Sequence, residues 1–98
     1  MAKVLFTVHY EIKNEKRNDF LSSIEELKSL IKADGILSYS IFESKGKKNH
    51  FEEVFIFDSP ENFENYDDSE NERVAILISK IEDLKVTGTT KYHTSFEV

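Results

Sequence analysis

The run His50-Phe51-Glu52-Glu53-Val54-Phe55-Ile56-Phe57-Asp58, followed at once by Ser59-Pro60-Glu61, decides the fold. Its aromatic and β-branched residues make a strand. Phe51, Val54, Phe55, Ile56 and Phe57 leave that strand apolar on both faces, so it belongs inside a sheet and beneath a second layer. Ser59 as cap, Pro60 at the first helical position and Glu61 in the first turn then start a helix.

Toward the C-terminus this helix carries Phe63 and Tyr66 and falters at Asp67-Asp68. Ser69 restarts it, with Glu72 three residues on as a capping box. Val74-Ala75-Ile76-Leu77-Ile78 is apolar nearly all round one turn, and Ile81 and Leu84 extend the stripe. Thr87-Gly88 ends the helix, and Thr90 to Val98 alternates as a last strand.

Toward the N-terminus, Lys45-Gly46-Lys47-Lys48-Asn49 makes a hairpin loop, and Ile36 to Ser44 is a strand with Leu37, Tyr39 and Ile41 alternating against Ser38 and Ser40. Phe20, Ile24, Leu27 and Ile31 recur at helical spacing, with Leu21 and Leu30 widening the stripe. Asn14 is the expected N-cap of this helix and Gly35 its C-terminal stop. Lys3 to Ile12 alternates, with Val4, Phe6, Val8, Tyr10 and Ile12 on one side and Leu5, Thr7, His9 and Glu11 on the other.

The order is β-α-β-β-α-β, an α+β, ferredoxin-like arrangement over residues 1–98 as a single domain, with one antiparallel sheet and the helices on one face. The other face would carry Leu5, Thr7, His9 and part of the third strand. That patch is too apolar to leave wet, and two such faces packed together would close a two-fold α/β barrel, so a homodimer is expected.

Composition narrows the function classes. The chain has 98 residues, a net charge of −6, and no cysteine, which excludes disulfides, thiolate metal sites and thiol nucleophiles. From Glu52 to Glu72 the sequence holds nine acidic residues and no Lys or Arg, a surface that repels a phosphate backbone and argues against nucleic acid. The basic trio Lys45, Lys47 and Lys48 reads as a solvated hairpin tip. Met1-Ala2-Lys3 leads into a strand and does not form a signal peptide, and no apolar run approaches the ~20 residues of a membrane span. A cytoplasmic protein is the expectation. Eight Phe and four Tyr without Trp suit both a core and a flat apolar pocket.

Three stretches carry a resemblance: Lys13–Leu21 (KNEKRNDFL), Asp34–Phe42 (DGILSYSIF) and Val54–Tyr66 (VFIFDSPENFENY). They resemble, in turn, the opening of the first helix, the glycine turn into the second strand, and the third strand with its following helix in the antibiotic-biosynthesis-monooxygenase-like family of dimeric α/β barrels. The resemblance implies a small dimeric barrel, and cofactor-independent oxygenation of a small aromatic or quinol-like substrate with no cofactor of its own. It also includes haem-degrading members and members without known activity. Many members carry a glutamate in the third strand where this chain has Phe55, and a histidine in the following helix where it has Tyr66.

The candidate catalytic residues are Tyr66, Glu53 and His9. Tyr66 takes the family's histidine position. Glu53, if buried, would have a raised pKa and accept a proton, whereas the plainer expectation is an edge-facing or solvent-facing carboxylate beside Glu52. Tyr39, Phe55, Phe63, Tyr92 and His93 are candidates for binding a small apolar or aromatic molecule. His9, His50 and His93 form no short ligand motif, so no metal is expected. The acidic stretch from Glu61 to Glu72 lacks the spacing and glycine of a calcium loop. Two further function classes stay open: a non-catalytic barrel that binds a small apolar ligand or only assembles, and an interaction module acting through the acidic surface.

Overall fold

The computed structural model describes residues 2–98. In chain order it forms β1 (Val4–Glu11), α1 (Arg17–Leu30), β2 (Ile36–Glu43), β3 (His50–Phe57), α2 (Pro60–Asn65), α3 (Glu72–Leu84) and β4 (Lys91–Phe96), with single 3-10 turns at Asn14–Lys16 and Asp68–Glu70. The sheet order is β2-β3-β1-β4, and every neighbouring pair is antiparallel. This is the ferredoxin-like arrangement, with the expected second helix divided into α2 and α3.

Alternation sorts the sheet into two faces. Val4, Val8, Tyr10 and Ile12 of the first strand region and Phe51, Phe55 and Phe57 of β3 are buried beneath Phe20, Ile24, Leu27 and Ile31 of α1 and Val74, Leu77, Ile81 and Leu84 of α3. The other face carries Leu5, Thr7 and His9 of β1, His50, Glu52, Val54 and Ile56 of β3, Ser40 and Phe42 of β2, and His93 of β4, as the cross-strand pairs require. No helix covers it; Phe42 is 57% exposed and Leu5 39%.

Several boundary expectations are corrected. The first helix begins at Arg17 behind a 3-10 turn, with no side-chain cap from Asn14. Asn14 Oδ1 instead accepts from Asn49 Nδ2 at 3.0 Å, because tertiary partners outcompete the cap. Arg17 completes this clamp, forking onto Glu43 at 2.5 and 2.9 Å and donating to Asn49 Oδ1 at 2.9 Å. The guanidinium and the Asn49 N–H hold the Glu43 carboxyl down at about 2. The cap of α3 is Asn71, whose Oδ1 accepts from Val74 N at 3.1 Å, and not Ser69 with Glu72. Ser59 does cap α2, accepting from Asn62 N at 3.2 Å. Leu37 does not alternate inward: the β2–β3 register slips between Ile36 and Ser38, and Leu37 is left 55% exposed. Ile76, within the run expected to be apolar all round, is 50% exposed on the outer side of α3.

Gly35 lies beyond the end of α1, which closes at Ile31, and serves a different joint. Its carbonyl accepts from Asp58 N at 2.8 Å, and Asp58 Oδ1 accepts from Asn62 Nδ2 at 2.7 Å. With φ of 91°, Gly35 occupies left-handed space, and a Cβ there would stand 2.5 Å from Asn62 Nδ2. Gly46 has φ of 79° and open space around it. Gly46→Ala therefore carries backbone strain alone, ~1 kcal/mol, while Gly35→Ala adds the clash and loses ~2–4 kcal/mol. Urea unfolding of the two variants measures the difference, and equal losses would contradict the close approach of Asn62.

Candidate functional site

Between the helix-facing side of the sheet and helices α2 and α3 lies a cavity of about 330 Å³, at the small end of the ~300–1,000 Å³ usual for ligand sites. Its walls are aromatic: Phe6 from β1, Phe55 and Phe57 from β3, Phe63 and Tyr66 from the α2 region, and Tyr92 from β4. These rings touch in a continuous set, with Phe6–Phe63 at 5.4 Å, Phe57–Phe63 at 5.3 Å and Phe55–Tyr66 at 6.1 Å between centroids. Tyr92 stacks on Phe6 at 6.1 Å yet is 66% exposed, because β4 is an edge strand that no helix covers. The cavity thus has an aromatic rim at the β4 edge.

Glu53 is the polar group that the sheet contributes to its inner wall. In register, Glu53 faces Val8 on one side and Ile41 on the other, and it shares the helix-facing side of β3 with Phe51, Phe55 and Phe57. The solvent-facing expectation is corrected: strand alternation gives the open face to Glu52 and the covered one to Glu53. The Tyr39 hydroxyl donates to Glu53 Oε1 at 2.6 Å. Burial drives the Glu53 carboxyl above its ordinary range, against the hydrogen bond from Tyr39, the nearby Tyr10 hydroxyl and the Lys85 charge, which favour the ionised form. The Tyr10 hydroxyl is wholly buried and lacks a well-formed hydrogen bond. Tyr10 and Tyr39 are both pushed up, by burial first and by the Glu53 charge second. Such a carboxyl holds or releases a proton at a pH where an ordinary glutamate is fully ionised.

Lys85 is a residue that the sequence pattern did not single out. It is buried, lines the cavity, donates to Glu82 Oε1 at 2.7 Å and places its ammonium 4.2 Å above the Tyr10 ring. Its spacing of four from Ile81 continued the apolar stripe of α3 and was the available signal. Phe6, Asp68 and Glu82 also line the cavity without having been candidates for it.

Of the candidate site residues, Tyr66, Glu53, Phe55, Phe63 and Tyr92 come together in the cavity, with Tyr39 directly behind Glu53. Tyr66 is pushed up to about 12 by burial and by the charges of Asp68 and Glu53. His9 and His93 do not reach it. Both stand on the opposite, open face, His9 with its ring centroid 5.7 Å from His50 and His93 paired with Thr7 across β1 and β4. Among the described residues no three His, Asp or Glu side chains converge as a metal ligand set. No described helix is long and apolar enough to cross a membrane.

No protein-family model and no curated protein matches the chain in sequence. Solved structures do match in shape. A conserved protein of unknown function from Bacteroides thetaiotaomicron superposes with a TM-score of 0.78 at 17% identity, covering 97% of each chain. An antibiotic biosynthesis monooxygenase superposes with a TM-score of 0.72 at 17% identity, over 100% of this chain and 97% of that one. A mutant of SnoaB, a cofactor-independent oxygenase from Streptomyces nogalater, gives 0.74 at 11% identity, over 95% of this chain and 90% of that one. The chain has the antibiotic-biosynthesis-monooxygenase-like fold that its sequence resembles.

The raised carboxyl has a stability consequence. When the folded state binds a proton more tightly than the unfolded one, stability falls as pH rises from the ordinary value near 4.5 through the higher folded value. The loss is ~1.4 kcal/mol for each tenfold tightening of proton binding. Glu53→Gln, which keeps an acceptor for Tyr39 without the charge, is predicted to be more stable than the native chain at pH 8. The two should converge as pH falls toward 4.5, and a constant gap in thermal midpoint across that range would contradict a raised carboxyl.

Proposed function

We propose that this protein is a cofactor-independent oxygenase of a small hydroxylated aromatic compound, with Glu53 as proton acceptor. The observation that carries this proposal is the carboxyl of Glu53, hydrogen-bonded to Tyr39 on the inner wall of an aromatic cavity. An aromatic substrate fills that cavity ring against ring and, once bound, shields the half-buried carboxyl from water. Glu53 takes the proton of a substrate hydroxyl, leaving an electron-rich anion that serves as the reductant. Dioxygen is the oxidant: one oxygen atom bonds to a ring carbon and the other leaves as water, so that a quinol becomes a hydroxyquinone as four electrons pass to oxygen. Tyr39 keeps the carboxyl aimed and Tyr66 borders the substrate. The likeness in shape to SnoaB and to other monooxygenases supports this choice of reaction.

We further propose that a second copy of the chain covers the open sheet face. That face joins half-exposed Leu5, Val54 and Ile56 with both signs of charge, since Lys91 of β4 lies across from His9 while Glu11 of β1 and Glu52 of β3 fall on the same side of the sheet. A two-fold axis through such a face sets opposite charges together around an apolar centre. His9 and His93 would then be interface residues.

Two measurements follow. An oxygen electrode with a panel of benzene and naphthalene quinols should record uptake above autoxidation for at least one, reduced ~10²–10⁴-fold in Glu53→Gln. Uptake no faster than autoxidation across the panel, with the same quinols still binding, would favour the non-catalytic ligand-binding barrel. Light scattering should give twice the 11.4 kDa chain mass for the native protein and a single chain mass for Val54→Lys/Ile56→Lys. A native mass of one chain would remove the dimer.

A further inference from the structure

The cavity has an electrostatic sign that its aromatic character does not require. Four titratable carboxylate or ammonium groups line it: Glu53, Asp68, Glu82 and Lys85. Lys85 pairs with Glu82, 2.7 Å away, so the two together add no net charge to the cavity. Asp68 remains as the cavity's unpaired exposed carboxylate, joined by Glu53 when that group is ionised, and among the described residues neither has a cationic side chain at ion-pair distance. Glu53 belongs to the inner strand β3, and Asp68 to the exposed 3-10 turn after α2. Tyr66 lies within the field of both, since each raises the proton affinity of its phenol.

The rings add to the same sign. Phe6, Phe55, Phe63, Tyr66 and Tyr92 present π-faces, whose quadrupole attracts cations and offers nothing to anions. Beyond the cavity the chain carries −6 overall, with the acidic run from Glu52 to Glu72 including Asp68 itself, so the long-range field acts in the same direction.

We propose that the cavity selects its substrate by charge: it takes aromatic compounds that are neutral or carry a basic nitrogen and turns away carboxylated ones, with Asp68 as the specificity-determining residue at the mouth. This rests on the aromatic cavity being the ligand site, and it adds which members of the aromatic class enter. A protonated amine is held at the mouth between Asp68 and the faces of Tyr66 and Tyr92, while the ring fills the space beneath. A carboxylate entering at the mouth meets Asp68, and the ammonium lining the cavity, Lys85, is already paired with Glu82.

Three naphthalene probes of one shape test this: 2-naphthylmethylamine, 2-naphthylmethanol and 2-naphthoate, titrated calorimetrically into the native chain at low salt and neutral pH. The amine is expected to bind at least as tightly as the alcohol, and 2-naphthoate at least tenfold more weakly than the amine. Asp68→Asn, at an exposed position outside the core, should narrow that ratio several-fold, and Asp68→Lys should reverse it. Raising the salt should narrow it as well. If 2-naphthoate binds as tightly as the amine, or if Asp68→Lys leaves the ratio unchanged, charge selection is overturned while the cavity stands as the ligand site. If none of the three probes binds, both are overturned.

Discussion

The hydrogen bond from Tyr39 to Glu53, 2.6 Å long and set within the covered side of the sheet, is the constraint on which the rest of the molecule turns. β3 is an inner strand, and Glu53 takes a place in a row otherwise made of Phe51, Phe55 and Phe57. A carboxyl there cannot be packed as a phenylalanine would be, and an unpaired charge at that depth is costly. The neighbouring elements answer with polar groups: Tyr39 from β2, Tyr10 from β1 and Lys85 from the end of α3. The cavity sits beside this group because the surrounding rings of Phe6, Phe55, Phe63 and Tyr66 close around it without filling it. Fold and candidate chemistry thus meet in one side chain.

Much of the fold was legible because it depends on period. Alternation from Lys3 to Ile12 and the stripe of Phe20, Ile24, Leu27 and Ile31 each describe a face, and a face must be buried whatever else the chain does. Ser59-Pro60 was legible for a local reason: cap and first helical residue are satisfied within one turn. The misplaced boundaries are those where a distant partner intervened. Asn14 was drawn away from capping by Asn49, and Gly35 was needed for the close approach of Asn62 and not for the end of α1. Leu37 left its alternation because the β2–β3 register slips beside it. None of these partners is adjacent in sequence, so composition around each residue held no trace of them.

The site was legible in its parts and not in its arrangement. Glu53 beside Glu52 looks like an ordinary charged pair, yet parity settles the matter, since Glu53 shares its side with Phe51, Phe55 and Phe57 whereas Glu52 falls with Val54 and Ile56. The same parity sends His9 away from Val8 and Tyr10, and thus out of the cavity. Lys85 was harder to find because a lysine at the end of an apolar stripe more often reaches for solvent. Here the close of α3 folds it back over Tyr10, and the bridge between Ile12 and Lys85 ties that point to the end of the first strand. The pairing of Lys85 with Glu82 in turn leaves Asp68 as the exposed carboxylate at the cavity without a cationic partner.

The most direct test of this account is a carbon-13 titration of the glutamate side-chain carboxyls, with Glu53 assigned through Glu53→Gln. The Glu53 resonance should titrate above the range of the other glutamates. It should move higher still in Tyr39→Phe, which removes the hydrogen bond favouring the ionised form. A Glu53 resonance that titrates with the solvent-exposed glutamates and ignores the loss of the Tyr39 hydroxyl would contradict a buried proton acceptor at the inner wall of the cavity.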